Sequence, residues 1–595
     1  MKTSLALALA LLLFAATAGA QTRRALMNWP QTATGAKSDK RAGVISGRLT
    51  DTAGQPIVNA VVYVSSVAFA GRESHNTSTD EQGRFRVADL PRGVYYVALN
   101  TPGYVMTDEE TGRRTYRAGD TVNLTLAKGG VITGTVMSHT NEPMTGCIVQ
   151  AIRIRDKNGH PSNLSRTAAF SPVDDRGVYR LFGLSSGTYV IVVTGKHPFF
   201  NQGSGYQNDV PTYYPSSTRD TTQPVTVQAG EEISGIDIRY RGERGHAVSG
   251  KILGLAAESA NVSFNLLLFN AASRTVEGET YVSSFYSGNN DSGYAFYGVP
   301  DGEYIILAIL NRYDSKLGGG RGRTRVKIRG ADANGVDVTI VPLGSIAGTL
   351  VIEPLRNADA QNKCEIKRRL MPDEMLLKAQ REEKAGEPDL NFTSSQQSAP
   401  SDKGDFTLNW LEAGQYHIEP AMLGEDYFVR SITLPASGKN QPPVDAARNP
   451  LAVKSGERLN NLTITVAEGA AAVRGRVVPA TEGARLPDRL RVHLVPAEKE
   501  AANDVLRFAE AKASADGAFA INNLAPGHYL ILARPSADDE TSDEPARPVA
   551  WDATERAALL KQAAAANFTL DLQSCQRSID YVLKYTPPAP KKATR

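Results

Sequence analysis

Eight histidines, three cysteines and a set of acidic turns are the groups through which this 595-residue chain could do chemistry. Zinc needs three or four nitrogen, sulfur or oxygen ligands converging on one point. The histidines are His75, His139, His160, His197, His246, His417, His493 and His528, and no two stand four apart. One H-x-x-E pair exists, His139-Thr140-Asn141-Glu142 before Pro143, but a related stretch earlier in the chain has a plain turn at the same place, Thr52-Ala53-Gly54-Gln55 before Pro56. No third ligand accompanies it. His417 and Glu419 share one face of a strand, as a lone pair. A G-x-S-x-G string occurs at Gly183-Leu184-Ser185-Ser186-Gly187. A nucleophile elbow needs a strand before the serine and a helix after it, and here a strand is expected to follow, so Ser185 reads as a turn residue. No G-x-x-x-x-G-K-[ST] phosphate loop is present. The sequence therefore gives no catalytic residue, no metal site and no cofactor site.

Binding chemistry is better represented. Acidic residues cluster at turns, as Asp80-Glu81, Asp174-Asp175, Asn290-Asp291, Asp402 with Asp405, and Asp516. Calcium wants about six or more oxygens, and these groups offer few, so Asp-Gly turn chemistry explains them better. The densest basic run is Arg321 to Arg329, containing Arg321, Arg323 and Arg325. It could meet an anionic polysaccharide or a headgroup, or serve as a charged strand edge that resists edge pairing. The glycine-rich run Gly318-Gly319-Gly320-Arg321-Gly322-Arg323 lies between strands and suggests a flexible loop. Aromatics concentrate in one long irregular stretch: Phe199, Phe200, Tyr206, Tyr213 and Tyr214. Such clusters suit stacking on sugar rings, and equally packing between neighbouring domains. These five aromatics and three arginines are the candidate ligand contacts.

The elements that would hold these residues repeat. From Gly83, an aromatic falls at Phe85, then Leu90, Gly93 and Tyr95. The same spacing recurs as Gly177, Tyr179, Leu184, Gly187, Tyr189, as Gly404, Phe406, Leu411, Gly414, Tyr416, and as Gly517, Phe519, Leu524, Gly527, Tyr529. An irregular copy has Ser292 in place of the first glycine, followed by Tyr294, Val299, Gly302 and Tyr304. Each copy is preceded by a strand with a central glycine, at Gly47, Gly134, Gly250, Gly348 and Gly475, which suits a bulge or close backbone approach. Each closes on an alternating strand such as Val122 to Leu126, Val336 to Ile340 or Leu462 to Val466. A further strand fills the slot between opening strand and turn, including Met375 to Ala379, whose composition alone would suit a helix. The repeated tyrosines should lie in the core with each hydroxyl bonded to backbone, so that truncation to alanine costs about 3–5 kcal/mol.

The reading is all-β: a tandem array of about five antiparallel β-sandwiches, at 43–129, 130–244, 245–341, 342–468 and 469–587. Units of this size can bury their own cores, so beads on a string are expected rather than a stack. One helix is expected, from Ala553 to Ala566 with Asp552 as cap. Residues 1–20 read as a signal peptide, with Lys2, an apolar run from Leu5 to Ala16 and the small residues Ala18-Gly19-Ala20. Residues 21–42 read as a flexible leader and 588–595 as a disordered tail. No later stretch is apolar enough to span a bilayer after signal cleavage. The net charge of +3 is close to balanced and speaks against nucleic acid as a partner. Of the cysteines, Cys147 should be buried and reduced, while an oxidising compartment would permit a bond between Cys364 and Cys575.

The run from Ile45-Ser46-Gly47 through Gly93-Val94-Tyr95 resembles the carboxypeptidase regulatory-like domain, a transthyretin-like sandwich attached to metallocarboxypeptidases and found on exported bacterial proteins. The resemblance is clearest over 43–129 and weakest over 245–341. It implies a fold and a secreted, periplasmic or extracellular location, and no activity, since that accessory domain carries none. The function read from the sequence is a secreted, non-catalytic structural or binding array contacting a glycan or an envelope protein. The alternative is an exported hydrolase with an unrecognised site.

Overall fold

The computed structural model describes residues 43–587 except 68–73, 107–114, 160–166, 196–204, 255–261, 274, 284–291, 313–318, 356–363, 365, 367, 383–394, 437–441, 482, 488 and 537–547. The expected signal peptide, leader and tail, and Phe199 and Phe200, lie outside the described residues. Strands make up 58% of the structure and helices 6%. Among the described residues the strands form ten sheets that face each other in five pairs, and each pair encloses one large hydrophobic cluster. The chain is a tandem array of five β-sandwiches.

The first sandwich shows the plan. Its opening strand, Gly43–Asp51, lies between Arg84–Leu90, to which it is antiparallel, and Thr121–Lys128, to which it is parallel. The facing sheet contains Ser74–Ser78, Val61–Ser66, Val94–Asn100 and Thr115–Arg117. Alternation explains the layering: Ile45, Leu49, Phe85, Val87, Val122, Leu124 and Leu126 point into one core. A parallel pairing of opening and closing strands recurs in all five sandwiches, within sheets that are otherwise antiparallel. Alternation alone cannot distinguish the two directions, because side-chain period is the same in both.

That parallel pairing explains the central glycine. A Cβ placed on Gly47 would stand 1.8 Å from the carbonyl oxygen of Val122, and on Gly134, Gly250, Gly348 and Gly475 it would stand 2.0, 1.9, 1.9 and 2.0 Å from those of Ile236, Val336, Leu462 and Tyr581. The first glycine of the turn motif meets a conformational requirement as well as a close approach, since a Cβ on Gly83, Gly177, Gly404 or Gly517 would stand 2.4, 2.8, 2.2 or 2.3 Å from the carbonyl oxygen of Leu49, Val136, Leu350 or Val477. Gly83, Gly177, Gly404 and Gly517 have φ of 73°, 80°, 92° and 84°, which glycine adopts without penalty. The carbonyl of each accepts a hydrogen bond from the opening strand, and Ser292 of the irregular copy accepts the same bond from Ile252 at 2.9 Å.

All five repeated tyrosines are buried, at 2% exposure or less. Each hydroxyl donates to the carbonyl four residues back: Tyr95 to Pro91 at 2.6 Å, Tyr189 to Ser185 at 2.6 Å, Tyr304 to Pro300 at 3.0 Å, Tyr416 to Glu412 at 2.8 Å and Tyr529 to Ala525 at 2.6 Å. The bond ties the strand to the corner that precedes it. Tyr189→Phe should therefore lower the stability of the second sandwich by about 1 kcal/mol, the usual net worth of one hydrogen bond, measured by chemical denaturation; an unchanged midpoint would contradict this role.

Met375–Arg381 is a strand, as the repeat register requires, paired to Gly414–Met422. The helix runs from Ala553 to Ala566, and Asp552 accepts from the amides of Thr554 and Glu555 at 2.8 and 3.1 Å. It packs Leu559 and Ala563 on Val495 and Leu532. The beads, however, are not separate. Arg92 pairs with Asp373 at 2.8 Å, Arg368 with Asp120 at 3.4 Å, and Arg368 donates to the carbonyl of Ala118 at 2.7 Å. The string folds back so that the first sandwich meets the fourth, a contact that local sequence cannot signal.

Candidate functional site

The fold-back leaves a cleft of about 610 Å³ between the first, fourth and fifth sandwiches. Tyr96 comes from the strand Val94–Asn100, on the outward side opposite the core-facing Tyr95. Lys378 and Glu419 come from the paired strands Met375–Arg381 and Gly414–Met422, where they lie directly opposite one another, and their charged groups are 3.4 Å apart. His493 and Glu510 come from Leu490–Pro496 and Ala509–Lys512, also opposite in register. Phe508 and Leu559 add apolar wall.

The polar groups of the cleft are positioned by one another. The Tyr96 hydroxyl donates to Gln397 Oε1 at 3.1 Å, across the gap between the first and fourth sandwiches. Burial holds the Tyr96 hydroxyl above its ordinary pKa. His493 is buried, and its Nε2 accepts from Arg534 Nε at 3.1 Å. Burial, with the nearby guanidiniums of Arg534 and Arg491, pushes its pKa down to about 3, so the imidazole is neutral at physiological pH. With Nε2 accepting, the proton sits on Nδ1, 3.5 Å from Glu510 Oε2. Next to the cleft, His417 stacks on Trp551 at 3.9 Å and bonds Glu382 at 2.9 Å. The arrangement is a mixed aromatic and polar surface with hydrogen-bond donors, acceptors and both charges.

The residues singled out in the sequence have other placements. His139 to Glu142 form a turn closed by the Ser138 amide on the Glu142 carbonyl at 2.8 Å, matching the Asp51 to Gln55 turn at 2.9 Å, with Asn141 at φ 63° where Gly54 has 78°. Ser185 gives its carbonyl to Tyr189, and the strand Gly187–Thr194 follows it. Asp80 accepts from the amides of Gln82 and Arg84, and Asp174 from those of Arg176 and Val178; these carboxylates shape turns. Asn290 and Asp291 lie outside the described residues. Among the described residues, no group of three histidines, cysteines or carboxylates is close enough to hold a metal ion.

The candidate contacts are largely used for packing. Tyr213 is 5% exposed and sits with Ile152, Val190 and Val192. Tyr206 packs edge-on against Tyr240 at 5.6 Å, and both Tyr206 and Tyr214 lean on the core of the second sandwich. These three side chains pack on residues of their own sandwich, whereas one of the two readings expects packing between neighbouring domains. The basic run differs from a solvated edge. Arg321 is 8% exposed, and Arg321, Arg323 and Arg381 converge on the Glu412 carboxylate at 3.4, 2.7 and 2.7 Å. Arg325 is exposed. The expected loop at 318–323 also needs correction from Gly320 on: Gly320–Ile328 is a strand, and a Cβ on Gly320 or Gly322 would meet Ile340 Cγ2 at 2.6 Å or the Thr339 carbonyl at 2.5 Å. Those glycines serve close packing.

Sequence reasoning missed the arginines behind the second glycine of the turn motif. A Cβ on Gly187, Gly414 or Gly527 would collide with the guanidinium of Arg153, Arg381 or Arg507. Arg507 also lies over the Tyr529 ring, 4.7 Å from its centre, and donates to its hydroxyl at 2.9 Å. These arginines stand at different distances along the chain from their glycines, so no fixed spacing reveals them. Residues 44–127 match the family model of the carboxypeptidase regulatory-like domain. The matched residues make up the first sandwich, the one that contributes Tyr96 to the cleft. No curated protein is similar enough to match. Among solved structures, the chain is similar to the GBS52 minor pilin of Streptococcus agalactiae at 14% identity, covering 32% of this chain and 93% of that one with a TM-score of 0.18. It is also similar to the TIE protein of Bacillus anthracis at 11% identity, covering 88% and 74%, TM-score 0.14, and to the BcpA major pilin of Bacillus cereus at 11% identity, covering 72% and 100%, TM-score 0.12.

Cys364 and Cys575 form a disulfide that joins the fourth sandwich to the fifth, with their Cα atoms 5.4 Å apart. Cys147 is free, buried at 1% exposure, and burial pushes its thiol up to about 11. Since the thiolate is the nucleophile, iodoacetamide should label no cysteine in the native protein, Cys147 alone in denaturant, and all three after reduction. Peptide mass mapping reads the outcome, and native labelling of Cys147 would contradict it.

Proposed function

We propose that this chain is an exported, non-catalytic structural array whose three-sandwich cleft binds an extended polar ligand, a glycan segment of the envelope or an envelope protein that carries one. The observation that supports the structural part is the use to which the repeat puts its distinctive residues. Its glycines admit close backbone approach, its tyrosines anchor corners, and its acidic residues cap turns. The observation that supports binding is the cleft itself, where an aromatic ring, a lysine, two carboxylates and an amide from sandwiches hundreds of residues apart face one space. Aromatic faces with flanking hydrogen-bonding groups suit sugar rings. The disulfide supports an oxidising compartment, and among the described residues no helix is long and apolar enough to cross a membrane. Arg325 and the stretch carrying Phe199 and Phe200 are second-rank contacts in this proposal.

Titration of the purified protein with envelope polysaccharide fragments tests it, followed by calorimetry. Binding should weaken about tenfold or more in Tyr96→Ala, since loss of one stacked ring and its hydrogen bond removes more than about 1.4 kcal/mol. Absence of binding, or binding indifferent to Tyr96→Ala and Lys378→Ala, would overturn the cleft reading.

A further inference from the structure

The outward face of the first sandwich differs from its four counterparts at the strand that opens each repeat. Arg48 of Gly43–Asp51 stands directly opposite Arg84 of Arg84–Leu90, and Ser46 opposite Arg86. Alternation turns Phe85 into the core and Arg84 and Arg86 outward, and the three arginines line one open depression of about 570 Å³. Like charges set directly opposite one another destabilise a sheet. No other copy keeps such a pair: the matching positions hold Thr135 with Val178, Lys251 with Gly293, Thr349 with Asp405, and Arg476 with Ala518. Where a counterpart carries an arginine on this face, a carboxylate meets it: Arg180 pairs with Glu232 at 3.1 Å, Arg474 with Glu425 at 3.6 Å and Arg476 with Asp516 at 2.9 Å. Among the described residues the ion pair on the first sandwich's face is Arg84 with Asp80 at 3.4 Å, and Arg48 and Arg86 are in none.

We infer that this face binds an acidic polysaccharide, a polymer that presents carboxylates at intervals among hydroxyls. The arginines are held by neutral acceptors more than they are neutralised. Arg48 Nε donates to the Gln82 carbonyl at 2.9 Å and Arg84 Nη2 to the Gln82 side-chain oxygen at 3.0 Å, so one residue steadies both guanidiniums. Both members of the Arg84–Asp80 pair are exposed, and a pair so placed contributes little. Around Glu412 three guanidiniums converge on one carboxylate. Here the ladder spaces them instead, at about 5 Å between opposite Cβ atoms and about 7 Å between residues two apart on a strand. Spaced cations suit several separated anionic groups better than a single ion, and each guanidinium fork matches a planar carboxylate. Ser46, Thr121 and Asn123 border the arginines with hydroxyl and amide groups that suit sugar hydroxyls. Among the described residues no exposed apolar side chain lines the depression, so it lacks the apolar centre of a protein interface. It shares no residue with the three-sandwich cleft, and the inference does not rest on that cleft.

Calorimetric titration of the full chain with polygalacturonate tests the inference, with dextran, polyglutamate and inorganic phosphate as comparison ligands. Polygalacturonate should bind, less tightly as salt rises, and each of the other three should bind more weakly than it does. Arg86→Ala should weaken polygalacturonate binding about tenfold or more, through loss of its charge-assisted hydrogen bonds, and Arg48→Ala added to it should weaken binding further. Both side chains are exposed, so neither change disturbs the fold. Arg180→Ala, at the position of the second sandwich that matches Arg86, should bind as the parent does. Tyr96→Ala separates this face from the cleft: binding lost in Tyr96→Ala and kept in Arg86→Ala would overturn the inference while supporting the cleft. No binding of polygalacturonate, binding indifferent to Arg86→Ala, or dextran, polyglutamate or phosphate bound as tightly would each overturn it as well.

Discussion

Gly134→Ala should unfold the second sandwich, and Gly475→Ala the fifth, with a loss in the exceptional range above about 4 kcal/mol. The reason is geometric. Any Cβ at these positions lies about 2.0 Å from a carbonyl oxygen, that of Ile236 or Tyr581. The Tyr581 oxygen belongs to the closing strand, paired parallel with the opening strand, and the Ile236 oxygen to the short stretch between two closing strands, Glu232–Ile233 and Ile238–Arg239, that pair parallel with the opening strand on either side of it, its own amide bonded to the Thr133 carbonyl at 3.1 Å. Overpacking against side chains usually costs about 1–3 kcal/mol because rotamers can yield. A backbone carbonyl held by that pairing cannot yield without losing the contact between opening and closing segments that defines the sandwich. In the second sandwich the alanine would also press on the Tyr179 hydroxyl, 3.1 Å from the same Cβ, which donates to that Ile236 carbonyl. Circular dichroism melts and limited proteolysis measure the loss. Gly54→Ala, where the Cβ would meet nothing within 4 Å but φ is 78°, is the control; it should cost only about 1 kcal/mol, the strain of a left-handed alanine. Equal effects at Gly134 and Gly54 would show that conformation, not contact, explains the repeated glycine.

That contrast also marks how far the sequence could be read. The spacing from Gly83 to Tyr95 located the turn in the four regular copies and the core tyrosine in all five, because period-two patterning and turn chemistry are local. The opening glycines were legible as points of close approach. Their partner was not, since a parallel strand arriving from seventy or more residues away leaves no mark on its target. The helix was legible from Asp552 and the alanine-rich run behind it. Met375 to Ala379 was legible as strand only through the repeat. The cleft was invisible for a related reason. Tyr96, Lys378, Gln397 and His493 are each ordinary strand residues, and only the return of the first sandwich onto the fourth makes them neighbours. Arg321 and Arg323 misled because a run of like charges normally means solvent; here one carboxylate from the next sandwich, Glu412, gathers them.

Glu412 therefore carries the second large effect. Its carboxylate is mostly buried and faces Arg321 and Arg323 from the third sandwich and Arg381 from the fourth. Arg321 is buried enough that desolvation pulls its pKa down, and the Glu412 charge is the chief force that opposes this. Removing the carboxylate leaves three cations around a site with no anion. Glu412→Ala should cost about 3–5 kcal/mol, as when one partner of a buried pair is deleted. The loss should appear at the junction of the third and fourth sandwiches, since the backbone carbonyl of Glu412 still anchors Tyr416. Hydrogen exchange along Gly320–Ile328 and Met375–Arg381 should rise while Gly130–Met137, in the second sandwich, stays protected. Glu412→Gln keeps the shape but not the charge, and should fall near the alanine variant if electrostatics dominate. Replacing Arg323, the most exposed of the three, with Met should relieve part of the damage in the Glu412→Ala background, because it removes one of the uncompensated charges. A double variant no more stable than Glu412→Ala, or a single variant within about 0.5 kcal/mol of the parent as for ordinary surface sites, would show that the cluster contributes contact and not charge balance.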